Sequence, residues 1–330
     1  MQFLNNLING KGTVHVTVDK PYYMSGELIS GSIHVDVREP IECNEVVVFV
    51  GGKEKVSWSE QHTRTVDGKT HTQTRYFTNR REFFKQKIIL YNVQHTLPAG
   101  QYVYPFQYQL PFGLPGSFDN QHDSSVTAKI EYYIKGAIGV NGFFNRDLKK
   151  KQTLTVYAQL AGVVAPSVGE KHHTVRLMCC IPQGTCTLRA AMDKNLYGPG
   201  EVPQIQVDIQ NQSKRDIRTM QCRLNRKVVV VGSGKTRTLR RTICTGTFPG
   251  VAAGMSISQP QSFQLHGSGM YPSTMGSFIT VSYTIDIVCD IAWSPDVELK
   301  LPIALGAPAL VQVPVAVGIP IAEETGKSDV

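Results

Sequence analysis

One nine-residue motif occurs twice in this chain, and its recurrence excludes most folds. Asp19-Lys20-Pro21-Tyr22-Tyr23-Met24-Ser25-Gly26-Glu27 returns as Asp193-Lys194-Asn195-Leu196-Tyr197-Gly198-Pro199-Gly200-Glu201, an offset of 174 residues with Asp, Lys, Tyr, Gly and Glu matched. Two further stretches echo one another. Phe106-Gln107-Tyr108-Gln109-Leu110 recurs as Gln261-Ser262-Phe263-Gln264-Leu265, and Ile130-Glu131-Tyr132-Tyr133-Ile134 as Val281-Ser282-Tyr283-Thr284-Ile285. A duplicated unit accounts for all three at once. A strand follows each motif copy, so Gly26 and Gly200 supply backbone freedom at a turn and need no ligand.

The unit is built of strands. Val14-His15-Val16-Thr17-Val18, Ile33-His34-Val35-Asp36-Val37, Leu154-Thr155-Val156, Ile205-Gln206-Val207-Asp208-Ile209 and Val281-Ser282-Tyr283-Thr284-Ile285 alternate apolar with polar, which buries one face of a strand. Asp67-Gly68 and Asn141-Gly142 suit tight hairpin turns. No segment longer than about ten residues keeps a helical period. The expected fold is therefore all-β: two tandem immunoglobulin-like β-sandwiches with little or no helix. The 330 residues suffice for two cores without disulfides or metals. Expected boundaries are 1–165, a connector at 166–173, a second sandwich at 174–308 and an extended tail at 309–330.

Seven cysteines without framework spacing read as free thiols, most of them buried, in a reducing compartment. The amino terminus, MQFLNNLINGKG, lacks the charged region and apolar run of an export signal, so a cytoplasmic protein is expected. Leu301 to Ala322 carries no charge, but Pro302, Pro308, Pro314 and Pro320 interrupt it, which predicts strand or polyproline-like chain rather than a membrane helix.

The net charge of +8 is local. Residues 214–241 hold ten Lys/Arg and one acid, so the rest of the chain is nearly neutral. Arg223, Arg226, Lys227, Arg237, Arg240 and Arg241 form a basic hairpin suited to phosphate or carboxylate groups. This is the candidate contact for an anionic partner, with a merely solvated face as the plain alternative. The segment has no aromatic residue for base stacking, so nucleic acid is not expected. Val228–Thr236, VVVVGSGKT, imitates a phosphate-binding loop, yet the first glycine of that pattern is replaced by Val229 and Arg237–Cys244 reads as strand. A glycine hairpin turn is expected there.

His172, His173, Cys179, Cys180 and Cys186 cluster without the spacing of a zinc site. Cys179 and Cys180 are candidate lipidation sites. Ser328 and Val330 fit a carboxy-terminal ligand captured by strand addition in a PDZ domain. No metal, cofactor or catalytic constellation is expected, and the chain reads as non-enzymatic.

Specific residues then point to a family. Leu97-Pro98-Ala99-Gly100, Tyr104-Pro105-Phe106-Gln107-Tyr108-Gln109-Leu110-Pro111, Leu114-Pro115-Gly116-Ser117-Phe118 and Ile130 to Gly136 resemble the amino domain of the α-arrestins. Cys179-Cys180, the Tyr197–Glu201 turn, Ile209 to Ser213 and Leu301 to Gly306 are similar to their carboxy domain. The resemblance implies a trafficking adaptor, cytoplasmic and peripherally attached to plasma membrane or endosomes. It would bind membrane-protein cargo or receptors and link them to endocytic, sorting or ubiquitination machinery, with an anionic-lipid contact as a further partner. No Pro-Pro pair exists in the chain, so direct WW-domain recruitment of a ubiquitin ligase through PPxY motifs is not implied. Only Lys11 precedes the first strand, so the paired-lysine phosphate sensor of visual and β-arrestins is not implied either. The alternatives are a retromer-like sorting subunit and an anionic-lipid- or nucleic-acid-binding β protein acting through residues 214–241.

Overall fold

The motif that occurs twice folds twice into the same lock. In the first copy Tyr23 donates its hydroxyl hydrogen to Asp19, Lys20 pairs with Glu27, and the Met24 N–H donates to Glu27 Oε2 at 2.8 Å. In the second, Tyr197 donates to Asp193 at 3.1 Å, Lys194 pairs with Glu201 at 2.5 Å, and the Gly198 N–H donates to Glu201 Oε1 at 3.0 Å. Burial, and then the bond to aspartate, raises both tyrosine pKa values and keeps both phenols as donors. Gly26 and Gly200 sit at φ of 81° and 86°, the left-handed region the turn requires. The second echo meets this lock: Leu110 N–H donates to the Glu27 carbonyl at 3.0 Å, and Leu265 N–H to that of Glu201 at 2.9 Å.

The computed structural model describes residues 11–67, 69–121, 123–140, 148–160, 164–177 and 180–307. Its long strands in the first half are β1 (Gly12–Val18), β2 (Leu28–Val37), β3 (Ile41–Val66), β4 (Lys69–Asn92), β5 (Gly100–Gln109), β6 (Val126–Val140) and β7 (Leu148–Leu154). Those in the second half are β8 (Ser167–Leu177), β9 (Ile181–Met192), β10 (Gln204–Ser213), β11 (Ile217–Gly232), β12 (Lys235–Val251), β13 (Ser256–Ser262), β14 (Ile279–Ile291) and β15 (Val297–Leu305). The described chain contains no helix, as its alternating pattern requires.

Each half is two facing sheets. The first has the orders β1-β2-β5 and β7-β6-β3-β4; the second has β8-β9-β10-β13 and β15-β14-β11-β12. Strand for strand the halves correspond, except that β8 is added at an edge. Residues 167–173, expected as connector, are therefore strand. The sequence SVGEKHH does not alternate; backbone pairing with β9, from Ser167 opposite Met192 to His173 opposite Cys186, makes it extended.

The alternating runs bury the side chains expected of them. Ile33, Val35 and Val37 of β2, Ile205, Val207 and Ile209 of β10, and Val281 and Ile285 of β14 are at most 3% exposed. The third echo supplies one buried tyrosine to each core: Tyr132 donates to the Pro115 carbonyl at 2.6 Å and Tyr283 to that of Tyr271 at 2.8 Å. Five cysteines are buried and Cys180 is exposed, all six free. Burial pushes the Cys186 thiol up to about 11 and that of Cys222 up to about 12, which leaves them unreactive packing groups. The hairpin at Asp67 closes between Val66 and Lys69, with Asp67 at φ 50°. The turn expected at Asn141-Gly142 lies outside the described residues.

Candidate functional site

The basic hairpin is β11 and β12, joined by a tight turn in which Gly232 pairs with Lys235. The GSGKT stretch is thus a turn between strands. Its tip docks on the first sandwich. Ser233 Oγ accepts from the Thr78 N–H at 3.1 Å and donates to the Thr78 carbonyl at 3.2 Å, while Asn79 Nδ2 donates to the Val231 carbonyl at 3.0 Å. Lys235 pairs with Glu60 and lies over the Phe77 ring.

This docking divides the six candidate cations. Strand alternation places Arg223 and Lys227 on the outer face, opposite Leu224 and Val228. Arg223 donates to Gln221 Oε1 at 2.7 and 3.0 Å, and Lys227 is exposed. Arg240 and Arg241 are exposed on β12, at the sheet edge. Arg237 turns back to the first sandwich and donates to Ser125 Oγ at 3.1 Å. Arg226 is a correction to the expected surface: it is 3% exposed, because it falls in phase with the inward residues Cys222, Leu224 and Val228. Its guanidinium lies 5.5 Å from the Phe118 ring centre and 5.9 Å from that of Tyr271, one ring from each sandwich, and donates to the Gly269 carbonyl at 2.7 Å. Burial lowers its pKa, and Arg241 acts in the same direction.

Among the described residues none of the six has a carboxylate within ion-pairing distance. An uncompensated group of guanidinium forks can bind and orient an oxyanion or carboxylate.

The seam between the sandwiches also contains a residue not anticipated from sequence. Glu54 on β3 is fully buried and accepts N–H bonds from Ser277 at 3.0 Å and Phe278 at 2.9 Å, across the domain boundary. Burial raises its pKa, and the backbone donors only partly offset this. The signal was available in principle, since Glu54 is in phase with buried Val56 and Trp58. The same phase runs through buried Val46, Val48 and Val50, but alternation alone reads a carboxylate in such a run as an interruption and cannot foresee the Ser277 and Phe278 N–H groups that answer it.

The remaining candidates do not assemble with this region. Cys180 is exposed in the turn between β8 and β9, whereas Cys179, Ser328 and Val330 lie outside the described residues. His172 bonds to Thr187 at 3.0 Å and pairs with Glu170 at 2.9 Å. Among the described residues no group of three His, Cys, Asp or Glu side chains could hold a metal ion, and no helix is long and apolar enough to cross a membrane.

Two duplicated sandwiches, bolted by a hairpin tip and exposing unpaired cations, define a protein built around binding surfaces. The chain belongs to the arrestin family: residues 13–161 match the model of the arrestin (or S-antigen) N-terminal domain, and residues 182–310 that of the C-terminal domain. It is similar to arrestin domain-containing protein A of Dictyostelium discoideum, 28% identical over 92% of this chain and 52% of that protein. It is also similar to thioredoxin-interacting protein of Rattus norvegicus, 23% identical over 86% of this chain and 71% of that protein. Arrestin domain-containing protein B of Dictyostelium discoideum is 21% identical, over 88% and 45% respectively. The chain thus spans about half the length of the two Dictyostelium relatives.

Proposed function

We propose that this protein is a non-enzymatic trafficking adaptor. It binds membrane-protein cargo through the exposed cations of β11 and β12 and links that cargo to endocytic, sorting or ubiquitination machinery, at the plasma membrane or endosomes. The observation that carries the reading is the pair of arrestin domains covering both sandwiches, the second of which presents Arg223, Lys227, Arg240 and Arg241 without acidic partners among the described residues. Cations in that state lose less on meeting an acidic cytoplasmic segment than cations already paired, and they steer its approach. Ligase recruitment proceeds without a PPxY motif in this chain. Cys179 and Cys180 as lipid attachment sites, and Ser328 and Val330 as a PDZ ligand, belong to the same reading.

The test is affinity capture from solubilised membranes with the wild type and with Arg223, Lys227, Arg240 and Arg241 changed to serine. Arg226 and Arg237 are left intact because they face the seam. Loss of membrane-protein partners in the variant is expected. Unchanged partners would return the hairpin to a solvated face, and recovery of mainly nuclease-sensitive material would overturn the adaptor reading.

A further inference from the structure

The uncharged run near the end of the sequence plays no part in the cargo reading, yet its apolar residues are regularly spaced. Every third residue from 308 to 320 is proline or valine: Pro308, Val311, Pro314, Val317 and Pro320. Polyproline II turns once in three residues, so that helix sets all five on one edge. A ladder strand suits them less, because proline has no N–H to donate. Residues 308–320 contain no charged side chain, and polyproline II uses none of its backbone groups internally. Such a segment fits an uncharged groove lined with aromatic rings.

The first sandwich has a groove of that kind. Its two sheets end on one flank in β4 and β5, each of which lacks a further strand partner there among the described residues. Aromatic rings bridge this flank. Phe84 and Tyr108 lie 5.7 Å apart between ring centres, Tyr91 and Tyr104 also 5.7 Å, and Tyr102 and Tyr104 6.2 Å. At the far end a groove of about 570 Å³ opens over Tyr91, Tyr102 and Tyr104, bounded by Pro98, Asn92 and Gln94. Among the described residues no charged side chain lines it. Tyr91 is 50% exposed and neighbouring Val103 60%, so apolar surface is left open to a ligand.

The chain leaves the second sandwich within reach of this flank. Gly306, just past β15, lies beside Leu160, and three residues earlier the Tyr157 carbonyl accepts from the Ser25 N–H at 2.9 Å. Ser25 belongs to the turn that holds Leu110, the residue after β5. From Gln109 to Tyr102 the flank runs roughly 23 Å at about 3.3 Å per residue, whereas residues 308–320 span about 40 Å as polyproline II. We propose that residues 308–320 dock as a polyproline II segment in the groove between β4 and β5, with their proline and valine edge against Tyr91, Tyr102 and Tyr104. The amides of Asn92 and Gln94 can donate to carbonyls that this helix leaves free. The docked segment covers the rings and ties the end of the second sandwich to the first. It involves none of the four exposed cations and no cargo, so it stands apart from the adaptor reading.

Fluorescence anisotropy of a labelled synthetic peptide of residues 308–320, titrated with the full chain, tests it. The full chain carrying both Val311→Asp and Val317→Asp, whose own segment no longer docks, is expected to bind the peptide saturably. The wild type should bind it about tenfold or more weakly, because a tethered segment competes at high effective concentration. Adding Tyr91→Ser or Gln94→Lys to the double variant should weaken binding about tenfold. Both positions are exposed, so a failure of one variant to fold leaves the other to decide. A peptide of the same composition with its prolines and valines out of the three-residue period should bind at least tenfold more weakly. No saturable binding up to roughly 1 mM, or equal affinity in the groove variants, would overturn the proposal. Equal affinity for wild type and double variant would also overturn it, by showing that the groove takes a proline-rich segment of another molecule instead.

Discussion

Two charged clusters flank the same seam and solve opposite problems. On β6, Glu131 pairs with three lysines, Lys151 at 2.9 Å, Lys53 at 3.1 Å and Lys129 at 3.5 Å, the last of which also pairs with Asp119 at 2.9 Å. Arg240 and Arg241 join Arg226 at the other, where among the described residues no acid lies in ion-pairing range. Burial raises the carboxyl pKa of Glu131, but the bonds from Lys151 and Lys53 more than reverse that and bring it down to about 2. The first cluster is closed, its buried charge answered within the chain. The second is open: among the described residues its guanidinium groups have no carboxylate to pair with. A local excess of cations thus indicates a binding surface only where the fold leaves it unanswered; the lysines around Glu131 are as basic but already committed.

Removing the centre of each cluster should separate them most clearly. Glu131→Gln leaves three lysines around a neutral amide, and we expect a loss of about 3 kcal/mol in urea unfolding at pH 7. A loss below 1 kcal/mol would break the contrast.

Acid should then erase that loss. Because the folded-state value of Glu131 lies below its unfolded value near 4.5, its contribution is complete above that pH and disappears as pH falls towards about 2. Wild type and Glu131→Gln should therefore converge across this window. Glu54 has the reverse sign: its raised value means that its stabilising proton is held below pH 4.5 and lost as pH rises through the folded value. Comparison of Glu54→Gln with wild type should accordingly show a gap that moves in the other direction with pH.

A smaller effect is expected at the open cluster. Arg226→Met keeps the apolar contacts with Phe118 and Tyr271 but removes a buried charge without a carboxylate, so urea unfolding should change by about 1 kcal/mol or less. A loss as large as that of Glu131→Gln would mean the guanidinium is answered within the chain after all.

The smallest effect is expected at the hairpin tip. Ser233→Ala removes two exposed bonds to Thr78 at the edge of the seam and should cost about 0.5 kcal/mol, seen as faster hydrogen exchange at Thr78 before any shift in global unfolding.

Much of this architecture was legible before any coordinates. The duplicated Asp-Lys-Tyr-Gly-Glu motif indicated two sandwiches because its matched residues are those that bond to one another in each copy. Alternation identified the buried faces of β2, β10 and β14, since a period of two leaves a strand no other way to hide apolar side chains. The concentration of charge in residues 214–241 was equally plain. What strand patterning could not convey was the fate of each cation. Alternation assigns a side chain to a face, but whether that face meets water or another domain depends on docking between sandwiches distant in sequence.

Arg226 shows the limit. Its phase alone places it inward with Leu224 and Val228, yet its environment is made by Phe118, Gly269 and Tyr271, which are far from it along the chain. Likewise β8 became a strand through pairing with β9 rather than through any pattern of its own. Local periodicity and repetition determined most of the strands, many of the residues that form the two cores and where the charge is concentrated. Only the tertiary structure decided which of those charges remain unpaired, because pairing and burial depend on groups brought together through space.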